Sequence, residues 1–242
     1  MASEQGITIT WLGHAATRIR LPDGKVILLD PWLTTNPVLP ESEKHQDRVD
    51  LMLISHAHFD HMADAIPVAN QRHPDVIVIF ELAEYLQSKG VDKTNGMNKG
   101  GTTAWNGVQI TMVDAIHSSG FMENDHPVQV GTAAGYVIRF ADGFTVYFSG
   151  DTDLFEGFSL IGRFYKPHVA ILPIGDHFTM GPRQAAEAIR MLGVKRVIPI
   201  HYGTFPQLTG TPEALESETH DVQGLKIFAL KPGDSVQQAD LV

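Results

Sequence analysis

The chain has 242 residues, 43% of them hydrophobic and 19% charged, an ordinary globular balance with enough length to bury a sizeable core. Its 28 acidic and 18 basic residues leave a formal charge of −10, which argues against nucleic acid as a partner because phosphate contacts depend on Lys and Arg. Cysteine is absent, which excludes both a disulfide framework and a thiolate metal site, and no segment is apolar over the length that a membrane span needs.

At the amino terminus, residues 1–6 lack the basic and long apolar stretches of a secretory leader, so a soluble cytoplasmic protein is expected. The first strand runs from Ile7 into Gly13-His14. A hairpin follows from Ala16, turns at Asp23-Gly24 and ends at Asp30. The polar, proline-containing segment 34–47 reads as a loop. Val49 to Ile54 is a short apolar run bounded by polar residues, hence a buried strand, and it leads straight into Ser55-His56-Ala57-His58-Phe59-Asp60-His61.

Four metal-capable side chains thus fall within six residues at a strand end. Residues two apart in extended chain point the same way, so His56, His58 and Asp60 converge while His61 begins the next element. Imidazole and carboxylate together suit zinc and its first-row neighbours rather than magnesium or calcium. A solvated polar loop is the bland alternative, but such loops favour Gly, Ser, Asn and Lys over repeated His.

Further along, a helix is expected over Phe80 to Lys89, stopped by Gly90, and the Gly-rich stretch Asn95 to Gly101 is expected as a turn, since it lacks the spacing of a phosphate loop. Three more strand-like runs end on candidate ligands: Ile110 to Ile116 runs into His117, Thr145 to Gly150 into Asp151, and Arg196 to Ile200 into His201. Taken singly, each of these is more often a cap or turn residue; alongside the cluster they read as ligands. Residues 118–130 are expected as a loop over the site. Gly181-Pro182 opens a helix whose inner stripe is Ala185, Ala186, Ile189 and Leu192 and which Gly193 stops; another helix is expected from Pro212 to Thr219.

The chain also resembles itself. Residues 7–14 align with 110–117, the hairpin 16–30 with 135–151 through a second Asp-Gly turn, and 50–54 with 168–174, the last followed by Gly175-Asp176-His177. Two copies of one strand and helix order imply a single domain of pseudo-repeated halves, about 7–105 and 108–230. The fold expected is an α/β four-layer αββα sandwich with two mixed sheets face to face and helices outside. Asp30, the repeat partner of Asp151, is placed to accept a hydrogen bond from a ligand imidazole. His14 is a candidate substrate contact or proton carrier, and Asp176 a supporting carboxylate at the pocket. His45, His73, His126, His168 and His220 read as surface residues, and Trp32, Phe121, Met122, Phe178 and Tyr202 as candidates for an apolar wall.

The order His-x-His-x-Asp-His, His, Asp, His resembles the metallo-β-lactamase superfamily, and all seven positions are filled. The resemblance implies a first site of His56, His58 and His117, a second of Asp60, His61 and His201, and Asp151 bridging them. It implies two divalent metal ions, zinc ahead of manganese, nickel or iron. Short motifs at residues 11–15, 29–33, 175–182 and 199–204 resemble the UlaG-like branch of metal-dependent hydrolases. That likeness implies hydrolysis of a small molecule through a bridging hydroxide, with a lactone or other carboxylic ester first, Asp60 or a metal-bound water protonating the leaving group, and association into a homo-oligomer. The alternatives are a small-molecule phosphodiesterase and a non-catalytic metal-dependent binding protein. His58 stands where the diiron flavoprotein branch has Glu, which disfavours a redox role.

Overall fold

The computed structural model describes residues 6–242. The segment from which the absence of a leader is expected lies, in residues 1–5, outside the described residues. The chain divides into two compact units, one of residues 1–97, 119–131 and 230–242, the other of 98–118 and 132–229.

The first unit is built on a seven-stranded sheet in the order Ser235–Gln237, Thr8–Gly13, Ala16–Arg20, Val26–Leu29, Leu51–Leu53, Asp75–Ile79, Thr94–Met97. The first four strands are antiparallel neighbours and the last four parallel ones. Parallel strands need crossovers: residues 30–50 make the first, α1 (Phe59–Met62) with α2 (Ala65–Arg72) the second, and α3 (Phe80–Ser88) the third. The last strand corrects the turn expected at Asn95 to Gly101: Thr94–Met97 pairs with Asp75–Ile79, and only the following residues turn. Its glycine has a packing reason, since a Cβ on Gly96 would press on Phe80 and Ala83 of α3 at 3.1 Å.

In the second unit the order is Lys226–Ile227, Arg196–Ile200, Val169–Pro173, Thr145–Phe148, Ala134–Arg139, Val108–Asp114, Thr102–Trp105. Here too a parallel half adjoins an antiparallel half. Residues 102–105, which the sequence repeat assigns to the first half, therefore belong to the second sheet, and the matching edge of the first sheet comes from Ser235–Gln237. Alternate residues of the strands, such as Val137, Tyr147, Ala170 and Leu172, pack on Phe158 and Ile161 of α4 (Gly157–Tyr165) and on Ala185, Ala186 and Ile189 of α5 (Pro182–Leu192). Pro182 opens α5 and Gly193, at φ 67°, closes it as the pattern requires. Thr211 caps α6 (Pro212–Glu218), its side-chain oxygen accepting from the Ala214 N–H at 3.2 Å.

The two hairpins of the repeat share their turn chemistry in detail. Asp23 accepts from the Lys25 N–H at 3.0 Å and Asp142 from the Phe144 N–H at 2.9 Å, in each case next to a glycine of positive φ. Residues 118–130 are not the loop expected but contain a hairpin, Gly120–Glu123 paired with His126–Gln129. It is tied to α3 by Tyr85, which donates to Glu123 at 2.8 Å, and by the Lys89 ammonium at 2.8 Å from the same carboxylate. These two partners hold Glu123 below the usual carboxylate range, while burial, with Glu123 beside it, pushes the Tyr85 phenol up to about 12. Among the described residues no helix is long and apolar enough to cross a membrane.

The contact between α4 and α5 is close enough to be tested. A Cβ on Gly162 would lie 2.3 Å from the Leu192 carbonyl oxygen. Gly162→Ala is expected to lose about 1–3 kcal/mol in urea unfolding, the range for overpacking; an unchanged midpoint would contradict that packing.

Candidate metal centre

In the first unit the site begins with a carboxylate. Asp30 follows the strand Val26–Leu29, is fully buried, and has the left-handed φ of 47° that turns its side chain back over the strand ends. Its Oδ1 accepts the Ser55 N–H at 2.7 Å, and its Oδ2 accepts both the Ser55 hydroxyl at 2.6 Å and His61 Nδ1–H at 2.7 Å. Ser55 has one hydroxyl proton, already given to Asp30, so its oxygen accepts from His56 Nδ1–H at 2.9 Å. Hydrogen bonding alone therefore assigns the tautomers. His56 and His61 both carry their proton on Nδ1, and both Nε2 atoms keep a lone pair.

Around these two, His58 Nδ1 lies 2.8 Å from His56 Nε2, and one donor atom from each of Asp30, His56 and His61 falls within 4.8 Å of the others. The Asp60 carboxylate is held by His14, whose Nε2 is 2.9 Å from Oδ2. His14 is itself fully buried, takes φ 56° after Gly13, and meets the edge of the Trp32 ring at 5.1 Å. Asp64 accepts from the Leu33 and Thr34 N–H groups at 2.7 and 3.0 Å and from the Thr34 hydroxyl, which closes the turn after Asp30. Ser119 accepts the Ala57 N–H at 3.2 Å, fastening the hairpin segment to the ligand loop.

The second unit brings its three candidates together at its own strand ends. Asp151 Oδ2 lies 3.0 Å from His201 Nε2 and 3.6 Å from His117 Nε2, with Asp151 and His201 almost completely buried. His201 has φ 61°, another non-glycine residue held in the left-handed region at a candidate donor. Thr152 steadies the segment before His117: its hydroxyl accepts the Ile116 N–H at 3.0 Å, and the Asp153 N–H bonds the Ile116 carbonyl at 3.0 Å. Burial pushes the Tyr202 phenol up to about 12, so it remains a neutral hydroxyl at physiological pH.

Asp176 is exposed, and its carboxylate accepts the His177 N–H at 2.7 Å within its own loop. His45, His73, His126, His168 and His220 are all exposed. Ser55, Asp64, Ser119 and Thr152 are not marked as supporting residues by the sequence; their only signal is proximity to a proposed ligand. The donors that are present fit a divalent first-row ion: buried imidazoles with directed lone pairs and buried carboxylates, with no thiol and no all-oxygen cage.

Sequence and structural comparisons agree with this chemistry. The beta-lactamase superfamily domain is matched over residues 25–202. The structure is similar to that of Igni18, a metallo hydrolase from Ignicoccus hospitalis, with a TM-score of 0.84 and 34% identity over 96% of this chain and 97% of that one. It also shares its fold with the metallo-β-lactamase fold protein YhfI from Bacillus subtilis, at a TM-score of 0.71 and 16% identity over 96% and 99% of the two chains. Two mixed seven-stranded sheets with helices and a His/Asp donor set thus define a metal-dependent hydrolase of the metallo-β-lactamase superfamily. A UPF0173 metal-dependent hydrolase of Solibacter usitatus is 48% identical over 229 residues, covering 95% of this chain and 99% of its own. One from Methanopyrus kandleri is 41% identical over 231 residues, with 95% and 99% covered. The chain belongs to the UPF0173 family.

The Asp30 network makes a direct prediction. Asp30→Asn turns an acceptor oxygen into an N–H₂ that faces another donor, so zinc affinity measured by chelator competition should fall about 10–100-fold. His177→Ala, altered on an exposed loop, should leave the affinity where it was. Equal affinities in the two variants would remove Asp30 from this role.

Proposed function

We propose that the donors of the two units serve one dinuclear centre, with His56, His58 and His117 at one ion, Asp60, His61 and His201 at the other, and Asp151 between them. The reaction is hydrolysis of a lactone or another carboxylic ester of a small molecule in the cytoplasm. Of all the observations, the Asp30–Ser55 network supports this best, because it spends two buried protons on holding two Nε2 lone pairs outward, an arrangement that serves a cation. The short motifs of residues 11–15, 175–182 and 199–204 support a place beside the UlaG-like branch.

When bound, a pair of divalent ions, zinc first, supplies Lewis acidity for the carbonyl oxygen and makes water nucleophilic at neutral pH. The chain's own part is positional and protonic. Ser55 and Asp30 fix the two imidazoles in the tautomer that leaves Nε2 as the ligating atom. Asp60 takes the proton that the attacking water gives up and returns it to the leaving oxygen, so that the ester C–O bond breaks with an alcohol departing. His14, with Nε2 at 2.9 Å from Oδ2, holds that carboxylate in place.

Elemental analysis of the purified protein should give two divalent ions per chain. Reconstitution with zinc, manganese, nickel and iron, assayed on lactones, esters, thioesters and phosphodiesters, should show turnover of lactones or esters. His58→Ala and Asp151→Ala should each lose metal and that turnover. Full metal content with full activity in both variants would refute the ligand assignment.

A further inference from the structure

Phe59 lies between His58 and Asp60 as the first residue of α1, and 58% of its surface is exposed. Burying such a side chain is worth about 1.5–3 kcal/mol relative to leaving it in water, so a ring left in solvent beside the donors leaves most of that gain to a ligand that covers it. It is nevertheless held in place. Its ring meets Trp32 at 5.6 Å and 78°, and Trp32 is almost completely buried, with its indole N–H on the Thr35 hydroxyl at 2.7 Å. Trp32 in turn packs on His14, which holds Asp60. An apolar face is thereby fixed to the same frame as the ligands.

Charge points the same way. The segments that carry or support candidate ligands, residues 10–17, 30–38, 54–64, 114–123, 149–156, 174–182 and 199–206, contain no Lys or Arg. Recognition of a phosphate or carboxylate normally uses such a cation. Large apolar side chains stand exposed in these segments instead, Met122 on the hairpin and Ile116 and Phe178 in the second unit.

We propose that Phe59, braced by Trp32, is a specificity-determining residue that takes the hydrocarbon part of a neutral substrate, so that uncharged esters or lactones with chains of several carbons are preferred over short or anionic ones. The bond cleaved rests on the ester hydrolysis proposed for the centre; the apolar preference stands apart from it. The test therefore pairs binding with turnover. Zinc-loaded protein is titrated calorimetrically with straight-chain hydroxamates from butano- to decanohydroxamate, and kcat/KM is measured on p-nitrophenyl esters of the same chain lengths and on bis(p-nitrophenyl) phosphate.

Affinity and ester kcat/KM should rise with each added methylene by about two- to fourfold, fourfold being the ceiling for full burial of a CH₂. In Phe59→Ala and in Phe59→Gln, which keeps length without an apolar face, that dependence should largely vanish at unchanged zinc content, while Phe59→Leu keeps most of it. A flat series in the unaltered protein, a slope surviving in both polar and truncated variants, or preference for the phosphodiester overturns the proposal. Sloped binding without cleavage of any ester or lactone leaves the apolar site standing and removes the ester reading.

Discussion

The buried carboxylate of Asp30 is the constraint on which the first unit's half of the centre depends. A fully buried acid is tolerable only where hydrogen bonds replace water, and here a backbone N–H, a hydroxyl and an imidazole N–H all converge on it. The same three bonds tie a strand end, the ligand loop and α1 together. One side chain thus satisfies its own desolvation and settles which nitrogen of two histidines faces outward. The left-handed backbone at Asp30, His14 and His201 has the same origin: local strain sits where side chains must be aimed, and the packed sheets around it hold it there.

The repeated architecture explains why donors collect at strand ends. Each sheet places an antiparallel hairpin beside parallel strands, and in each the Asp-Gly turn lies at one end of the hairpin while the carboxylate lies at the other. The corresponding positions have since taken different work. Asp30 is enclosed among hydrogen-bond donors, whereas Asp151, in the second unit, lies against two imidazoles. The paired histidines differ less: His14 is hydrogen-bonded to Asp60 at 2.9 Å, whereas His117 stands 3.6 Å from Asp151.

Much of this is legible in the sequence because it is local. The spacing of His56, His58, Asp60 and His61, the Asp-Gly turns, and the Pro182 to Gly193 helix are each set by a few neighbouring residues, and pattern reads such signals well. Asp30 as partner of a ligand imidazole comes from the repeat and is realised at His61. Features hidden from the sequence depend on contacts far apart along the chain. The hairpin within 118–130 is short and polar, and part of its anchorage is supplied by Tyr85 and Lys89 on a helix formed some 35 residues earlier. Thr94–Met97 is a strand only because a parallel neighbour and α3 make it one. Phe59 reads in the sequence as no more than the spacer inside a motif, since its exposure and its contact with Trp32 are tertiary facts.

The outer strand Ser235–Gln237 gives the first sheet a peculiar dependence on time. It pairs with Thr8–Gly13, and the side-chain bond between Thr8 and Gln237 spans 229 residues. During synthesis the edge of the first sheet must stay open while the whole second sheet emerges, and an unpaired edge is a template for wrong partners. The second sheet has no such delay, since Thr102–Trp105 precedes its neighbour by a tight turn. A ribosome therefore releases a chain whose later half can close first, and whose earlier half waits for its final strand.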